Sequence, residues 1–591
     1  MKRGTWLALA SLVVVPFARD AFQAPQLVVL ALAALVAEGT RSSRPVGQVL
    51  GLSLLAAVVT AGLGVAPLLS VPSLLALTVT MAFAAASAQL ELDALTWTAF
   101  PLAAFAVLQA LGADPIPWQA VARWCGGTRP FATLGHPTQL GMWSACLTVV
   151  AFDAWLRRRE AWRFGACLLA LMTCVLTMSR AGWLVLVVAF GLWAALQRAQ
   201  LGARLRLGLA ASTIGAALVG VLLAGPTAAA ERVANALVAP TRRMLWETAL
   251  EGFSQRPVSG WGAGAFVLVD QQLRQADAWR YEWGGTAFHA HAFPAEVLAT
   301  QGLIGLAALV AALVVTVRAW RSSQPWRREP LALALLAGLA AGSLVTFLAV
   351  VPATLALVAL VKTLGAPAER TPPRRWLAAG PLVVASAAFV AGLLPAPLAG
   401  RLEPWNPSWL ALEGVGLEAA GALDDAAVVF DRAAERFGAL AIVHGNRGRV
   451  ASKRGRHDDA ARDYATAVSL APRDGRLLLD AAEASLRAQA WADAEATVVR
   501  LLQLYPDDGP AWFALGRLRV MQQRRVEARA AFEAAEQADW RDWPDGLGLA
   551  RHALAFIHLA EGNPDLAGAL RARPTTFATP AEACGAPALL R

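Results

Sequence analysis

Charge is scarce in this sequence. Only 16% of its 591 residues are Asp, Glu, Lys or Arg, against 57% hydrophobic residues and a mean hydropathy of +0.49. A soluble globule cannot hide that much apolar surface, so the composition excludes a set of ordinary soluble domains and points to a membrane protein. Cysteine is equally sparse. The five present (Cys125, Cys146, Cys167, Cys174, Cys584) form no CxxC pair and no metal-ligand spacing, and three lie in apolar runs. That excludes a disulfide scaffold and a zinc site. Tyrosine is nearly missing, three against 22 Trp, so tryptophan must supply most interfacial aromatic belts.

The few charges are unevenly placed. Residues 1–400 hold 29 Lys/Arg against 16 Asp/Glu, a balance of +13, and residues 401–591 hold 23 against 26, a balance of −3. The net charge of +10 therefore belongs to the apolar part and calls for no nucleic-acid partner. A span needs about 20 apolar residues. About thirteen such runs are expected, near 4–18, 23–39, 46–68, 71–90, 93–111, 138–156, 164–179, 181–199, 206–224, 292–317, 330–349, 351–368 and 376–397. The first is followed by Arg19-Asp20 with no small-residue cleavage site, so it reads as an anchor and not a signal peptide.

With thirteen spans drawn, the basic clusters fall in alternate connections. They are Lys2-Arg3, Arg41/Arg44, Arg157-Arg158-Arg159/Arg163, Arg198/Arg204/Arg206, Arg318/Arg321/Arg327/Arg328 and Lys362/Arg370/Arg374/Arg375, or 19 of the 29 basic residues. This alternation predicts a cytoplasmic N-terminus and an extracytoplasmic C-terminal domain. Two outward connections are long, 112–137 and 225–291. The second carries Arg232, Arg242, Arg243, Arg256, Arg274 and Arg280 against the positive-inside trend, which an anion on that face would explain.

After Pro404 the texture changes to Ala-rich amphipathic helices with a 34-residue period. Ala426, Ala460, Ala494 and Ala528 share one register, Phe430, Tyr464, Val498 and Phe532 a second, and Gly414, Gly448, Ala482 and Gly516 a third. Small residues let two helices approach and the aromatic fills the space between them. The pattern resembles the tetratricopeptide repeat, about four units over 407–542, with Trp512, Leu515 and Gly516 fitting its first-helix signature and a capping helix near 546–561. The expected fold is all-α: a polytopic transmembrane bundle over 1–397 with a long outer loop at 225–291, then a linker at 398–406. An α-solenoid follows at 407–570, and a Pro/Ala/Thr-rich tail at 571–591 has the composition of a disordered segment.

Four stretches of the apolar part carry polar chemistry. They are GHPTQLG (Gly135–Gly141), TMSRAGW (Thr177–Trp183), the segment Arg242–Phe266, and HAHAFPAEVLATQGLIGL (His289–Leu306). In order and spacing they resemble the O-antigen ligase and O-antigen polymerase superfamily, over roughly residues 1–365. That family has an Arg four residues before a Trp, then a P-x-x-G-x-G-x-G-x-F-like turn. Arg242, Trp246, Pro257, Gly260, Gly262 and Gly264 match it here. A family His-Asn precedes Gly-Leu-x-Gly by eleven residues, and His291 stands eleven before Gly302; the Asn is replaced by Ala292.

The resemblance implies a glycosyltransferase that moves a glycan from undecaprenyl diphosphate to an acceptor on the outer face. A ligase takes lipid A core or a protein hydroxyl as acceptor, a polymerase the end of another lipid-linked unit. The compact His291–Gly305 motif favours the ligase branch. A third reading, a transporter of lipid-linked glycans, lacks an inverted repeat. No cofactor and no metal are implied: arginine forks onto phosphate oxygens and keeps its charge at low dielectric, and the outer loops show no acidic pair at metal-binding spacing.

Arg180 and Arg242 are the expected anion contacts and His291 the expected acceptor-activating base. Arg243, Trp246, Gly260, Gly262, Gly264 and His136 are expected substrate contacts. Duller readings stand beside these. Arg180 would cap the carbonyls of the preceding span, Arg242 and Arg243 would meet lipid headgroups or water, and the glycine run would be a turn. His136 and His291 would be structural, and Trp246, Trp261, Trp279 and Trp283 would be loop packing and not a sugar groove. His289, two residues from His291, would face elsewhere on a helix. Glu296 and Asp270 are outward carboxylates able to assist. The repeats are expected to recruit a protein partner.

Overall fold

The computed structural model describes residues 3–12, 23–36, 44–86, 92–114, 129–197, 240–275, 287–365, 382–387, 390–391, 394–540 and 546–572. Among these the regular structure is helical throughout, with one isolated β-bridge, Asp508 to Asp539. The helices belong to two compact units. One comprises Met1–Phe266 and Phe288–Asn406, the other Val267–Ala287 and Pro407–Arg591. The division departs from the expected boundaries in two places. Residues 267–287 of the outer loop group with the repeats, and the expected linker 398–406 begins inside a helix, Ala396–Leu402, of the first unit.

In the first unit each apolar run within the described residues is a helix starting within three residues of its expected position. Among the described residues, five helical stretches are long and apolar enough to cross a membrane: Pro45–Gly62, Pro67–Ala85, Leu92–Ala110, Pro137–Arg158 and Phe293–Ser323. Ala161–Leu176, Arg180–Leu196, Pro330–Ser343 and Val350–Thr363 are apolar but shorter. The expected span 206–224, and most of 376–397, lie outside the described residues.

Pro137–Arg158 is the central helix. Its side chains from Leu140 to Ala154 are buried on every face, as in a helix surrounded by others. It packs on Ala161–Leu176, Arg180–Leu196, Pro330–Ser343 and Val350–Thr363. Small residues permit the approach: a Cβ on Gly342 would lie 2.7 Å from Val185 and 3.1 Å from the Met142 sulfur. The buried carboxylate in this helix, Asp153, is satisfied by the Trp193 indole N–H at 3.0 Å and the Arg157 Nε–H at 2.7 Å.

Phe293–Ser323 is broken within its first three turns. Gly302 has φ +59° and ψ −149°, which interrupts the ladder of backbone hydrogen bonds. The turn after helix Pro240–Gln255 fills the gap. Leu303 and Ile304 N–H donate to the Pro257 and Val258 carbonyls at 2.7 and 3.1 Å. In return, Trp261 and Gly262 N–H donate to the Ala299 and Thr300 carbonyls at 3.1 and 2.9 Å. Four groups orphaned by the break are thus paired, as an apolar setting requires. Such backbone-to-backbone contact leaves no room for side chains. A Cβ on Gly302 would lie 2.6 Å from the Pro257 carbonyl, and one on Gly260 would overlap the Thr300 backbone.

The second unit contains four helical pairs, from Pro407–Ala419 with Leu423–Phe437 to Gly509–Met521 with Arg525–Gln537, then a capping pair, Gly546–Ala560 and Pro564–Ala572. The three periodic columns are its seam. The four alanines are fully buried, and Phe430, Tyr464, Val498 and Phe532 fill the space beside them. A Cβ added to Gly414 or Gly516 would sit 2.5 Å from the ring of Phe430 or Phe532. Tail residues beyond 572 lie outside the described residues.

The broken helix yields a direct test. Gly302→Ala combines a left-handed backbone with a clash against the Pro257 carbonyl, and is expected to cost about 1–3 kcal/mol. Gly191→Ala, where the added methyl meets nothing within 4 Å, serves as control. The unfolding midpoint in detergent should fall for the first and stay near wild type for the second.

Candidate anion site at converging helix ends

Two motifs meet through glycines. A Cβ on Gly182 would lie 2.8 Å from the Gly141 backbone, so the first turns of Pro137–Arg158 and Arg180–Leu196 touch. Each start is capped by a side chain. His136 Nδ1 accepts from Thr138 N–H at 3.1 Å, and the Ser179 hydroxyl accepts from Gly182 N–H at 3.1 Å. Arg180 is therefore the first residue of its helix, exposed at the positive end of the dipole. The preceding span ends at its C-cap, Thr177. The Thr177 carbonyl at that end takes Nε–H of Arg129, at 2.9 Å.

The third motif adds helix Pro240–Gln255, whose first turn carries Arg242 and Arg243. They diverge. Arg243 is exposed and paired with Glu247 at 2.8 Å, which matches the solvated-face reading and not substrate contact. Arg242 is half-buried, and its guanidinium is held below its usual pKa by burial and then by the nearby Arg180 charge. Trp246 follows Arg242 by one turn on the same helix face, half-buried, with an indole N–H that has no protein partner.

The fourth motif supplies histidines. Residues 287–292 are not helical, and His291 has φ +52°, uncommon for a residue with a side chain. Three imidazoles surround Phe347: His289 stacks at 4.7 Å between centroids, His291 meets it edge-on at 5.8 Å, and His136 is tilted at 6.3 Å. His289 thus shares the cluster with His291, because the chain there is not helical. Phe347 lies in the non-helical break before Val350–Thr363, which the buried Gln139 holds. Gln139 donates to the Phe347 carbonyl at 2.9 Å and accepts from Ala349 N–H at 3.0 Å. Glu296 accepts from Ala290 N–H at 2.7 Å and lies 3.7 Å from His289, so it braces the histidine segment.

The expected substrate cradle of Gly260, Gly262 and Gly264 is otherwise employed. All three have positive φ and face protein: Thr300, Gly64 and Ser73 respectively. Trp261 is buried, with its indole N–H on the Gly252 carbonyl at 2.9 Å, so it is loop packing and no sugar platform. Asp270 belongs to the other unit, fully buried beside Arg274. Trp279 and Trp283 lie outside the described residues. Arg129, Gln139 and Phe347 were not singled out from the sequence. An Arg in an outward loop could have been, but a Phe in an apolar run reads as lipid-facing.

The ensemble is strongly positive. Arg180 lies within electrostatic reach of Arg242, and Arg129 lies close enough to depress His136. His291 is lowered from 6.5 to about 4, first by burial, then by Arg242, His289 and His136. His136 is likewise lowered to about 4 by burial and Arg129. Both imidazoles are neutral near pH 7; His136 uses its ring lone pair on Thr138 N–H, and His291 keeps one able to accept a proton. Guanidinium groups and helix N-termini are the chemistry that suits an anion, and here they lie beside an unprotonated imidazole.

Comparison with known proteins agrees with this architecture. Residues 165–310 match the family model described as O-antigen ligase, and residues 451–518 one described as tetratricopeptide repeat. No curated protein matches the chain. Among solved structures, the chain is similar to MamA, at 16% identity over 27% of this chain and 90% of that one, TM-score 0.24. It is also similar to BtubC of P. vanneervenii, at 16% identity over 32% and 86%, TM-score 0.26. A third is YrrB, described as a tetratricopeptide protein with an unusual peptide-binding site, at 16% over 30% and 89%, TM-score 0.25.

The histidine shifts have a sign that can be measured. A depressed folded pKa means that stability is fully present above 6.5 and is lost as pH falls through about 4. The reaction of His291 with diethyl pyrocarbonate, which requires neutral imidazole, should titrate well below pH 6.5. Arg242→Gln removes a neighbouring cation and should move that midpoint upward. A midpoint at 6.5 in both proteins would contradict the burial and the proximity.

Proposed function

We propose that the first unit transfers a glycan from undecaprenyl diphosphate to an acceptor hydroxyl at the outer face of the bacterial cytoplasmic membrane, in the manner of an O-antigen ligase. The observation that carries this reading is the meeting of Arg180, Arg242 and a neutral His291 at helix N-termini. The match of residues 165–310 to the O-antigen ligase model supports it. In the transfer, the bond between the anomeric carbon and the phosphate oxygen breaks, and a bond from the acceptor oxygen to that carbon forms. The acceptor proton passes to His291, and undecaprenyl diphosphate leaves with the bonding electrons.

Negative charge grows on the departing diphosphate, and Arg242 and Arg180 neutralise it without a metal ion, with the first N–H groups of Arg180–Leu196 beside them. His291 must be unprotonated to accept the proton, and its burial among cations keeps it so near neutral pH. Trp246 offers its indole N–H to the donor. His136 supports the pocket through Phe347 and the start of the central helix. The acceptor is lipid A core or a protein hydroxyl. A polymerase would use the same groups with a lipid-linked glycan as acceptor.

Loss of the protein separates these outcomes. Absence of a ligase leaves long glycans on undecaprenyl diphosphate, whereas absence of a polymerase leaves single units. Single units retained on the cytoplasmic face would instead reveal a transporter. In purified enzyme, Arg242→Lys should lose nearly as much as Arg242→Ala, on the order of 10²–10³ in kcat/KM, since one ammonium cannot replace the fork. Arg243→Ala should change it less than roughly threefold, as expected for an exposed pair. Full activity of Arg242→Lys would remove the proposed diphosphate contact.

A further inference from the structure

The second unit contains a piece of the first unit's sequence. The segment from Val267 to Ala287 groups with the repeats, although it connects the Gly264 turn to the His289–His291 segment. Helix Phe266–Leu273 ends there, and three polar side chains in and just past its last turn do not face water. Asp270, Gln271 and Arg274 are at most 7% exposed. Three charged or amide groups inside a packed surface require specific partners.

Those partners come from the turns between repeats. The Gln271 amide donates to the Ala439 carbonyl at 2.7 Å and accepts from Ala441 N–H at 3.2 Å. One repeat further on, Arg473 donates from the same guanidinium nitrogen to the Leu273 and Arg274 carbonyls, at 3.0 and 3.5 Å. Ala439 and Arg473 are 34 residues apart, so they are the same position of successive repeats. Arg473 thereby covers carbonyls that the helix end leaves open. Arg274 sits 3.7 Å from Asp270 and within electrostatic reach of Asp474, beside Arg473. Asp270 also accepts from Ala287 N–H at 2.7 Å, which ties the two described ends of the excursion together. The third turn of the row is already occupied. Asp539 N–H donates to the Asp507 carbonyl at 2.8 Å, and Gly509 N–H to the Asp539 carbonyl at 2.9 Å.

From this periodic match we propose that the row of inter-repeat turns is a receptor for the chain's own outer loop. It binds Asp270–Arg274 in cis through Gln271 at one turn and Arg473 at the next. The repeat unit then anchors the loop and must lie on the same membrane face as that loop. A protein partner has to use another surface of the repeats or displace the loop. The contact is independent of the transferase reading, and so is its test.

The test uses the full-length protein in detergent. Gln271→Glu keeps the size but sets an acceptor against the Ala439 carbonyl, and Arg473→Ala removes the second clamp. Each is expected to speed trypsin cleavage after Arg274 by roughly tenfold, with the double variant faster still, while the unfolding midpoint of the chain stays near wild type. Arg473→Lys should restore part of the protection. Separately, Gln271→Cys with Ala441→Cys, in a chain otherwise without cysteine, should form an intramolecular disulfide under mild oxidant. Cleavage rates within twofold of wild type, or a pair of cysteines that fails to join, would overturn the proposal.

Discussion

A helix interrupted in apolar surroundings must hand its orphaned amides and carbonyls to other protein groups, and the break at Gly302 organises the outer part of the first unit on that basis. Four backbone hydrogen bonds run between residues 299–304 and the turn 257–262. They are possible only because Gly302 and Gly260 lack side chains. The same turn is seated from the other side by Val65 N–H, which donates to the Trp261 carbonyl at 3.0 Å. Helix Pro240–Gln255, which ends at this turn, is therefore fixed relative to the start of Phe293–Ser323. Arg242 lies on the first element, and His291 immediately precedes the second. One backbone contact thus sets the spacing of a cation and an imidazole some fifty residues apart in sequence.

The electrostatics follow from what gathers there. Guanidinium groups and capped helix starts bring positive charge, and the carboxylate nearest the histidines, Glu296, is turned to Ala290 N–H and His289. An imidazole placed among cations and partly out of water resists protonation. In the proposed transfer, the field that would draw a diphosphate is the one that keeps His291 unprotonated. When the donor binds, its negative charge opposes that depression, and the proton affinity of His291 rises at the moment a base is needed. Anion binding and base strength are coupled through this one cluster.

The sequence made the elements legible but not their use. Apolar runs located the helix starts to within three residues, and the 34-residue columns of Ala, aromatic and small residues specified the repeat seam down to individual rings. The four polar motifs stood out because Arg and His are costly in apolar sequence and remain visible. Where the sequence left a role open, the cause is physical. Gly260, Gly262 and Gly264 mark close approach of the backbone, but spacing alone does not say whether a ligand or another helix approaches. Arg242 and Arg243 are adjacent, and only a helix register separates a half-buried contact from a solvated one. Phe347 and Gln139 were invisible because their roles come from a break 200 residues away, at the end of Pro330–Ser343.

The least legible feature is the division of the outer loop between two folding units. Its apolar residues, Leu268, Val269 and Leu273, read like any amphipathic loop helix, and nothing in their pattern names a partner. The partner is defined by a period that lies elsewhere in the chain. Because repeats of equal length present equal turns, a short helix can engage two turns at once, with a glutamine for one and its carbonyl end for the next. Sidedness then no longer depends on counting spans. Charge alternation places the C-terminal domain outside only if every expected span crosses, including 206–224. A repeat stack that buries Gln271 and Arg274 has to share a compartment with them. The loop they belong to carries Arg242 and leads into His291, so the compartment that holds the repeats is the one in which the transfer would occur.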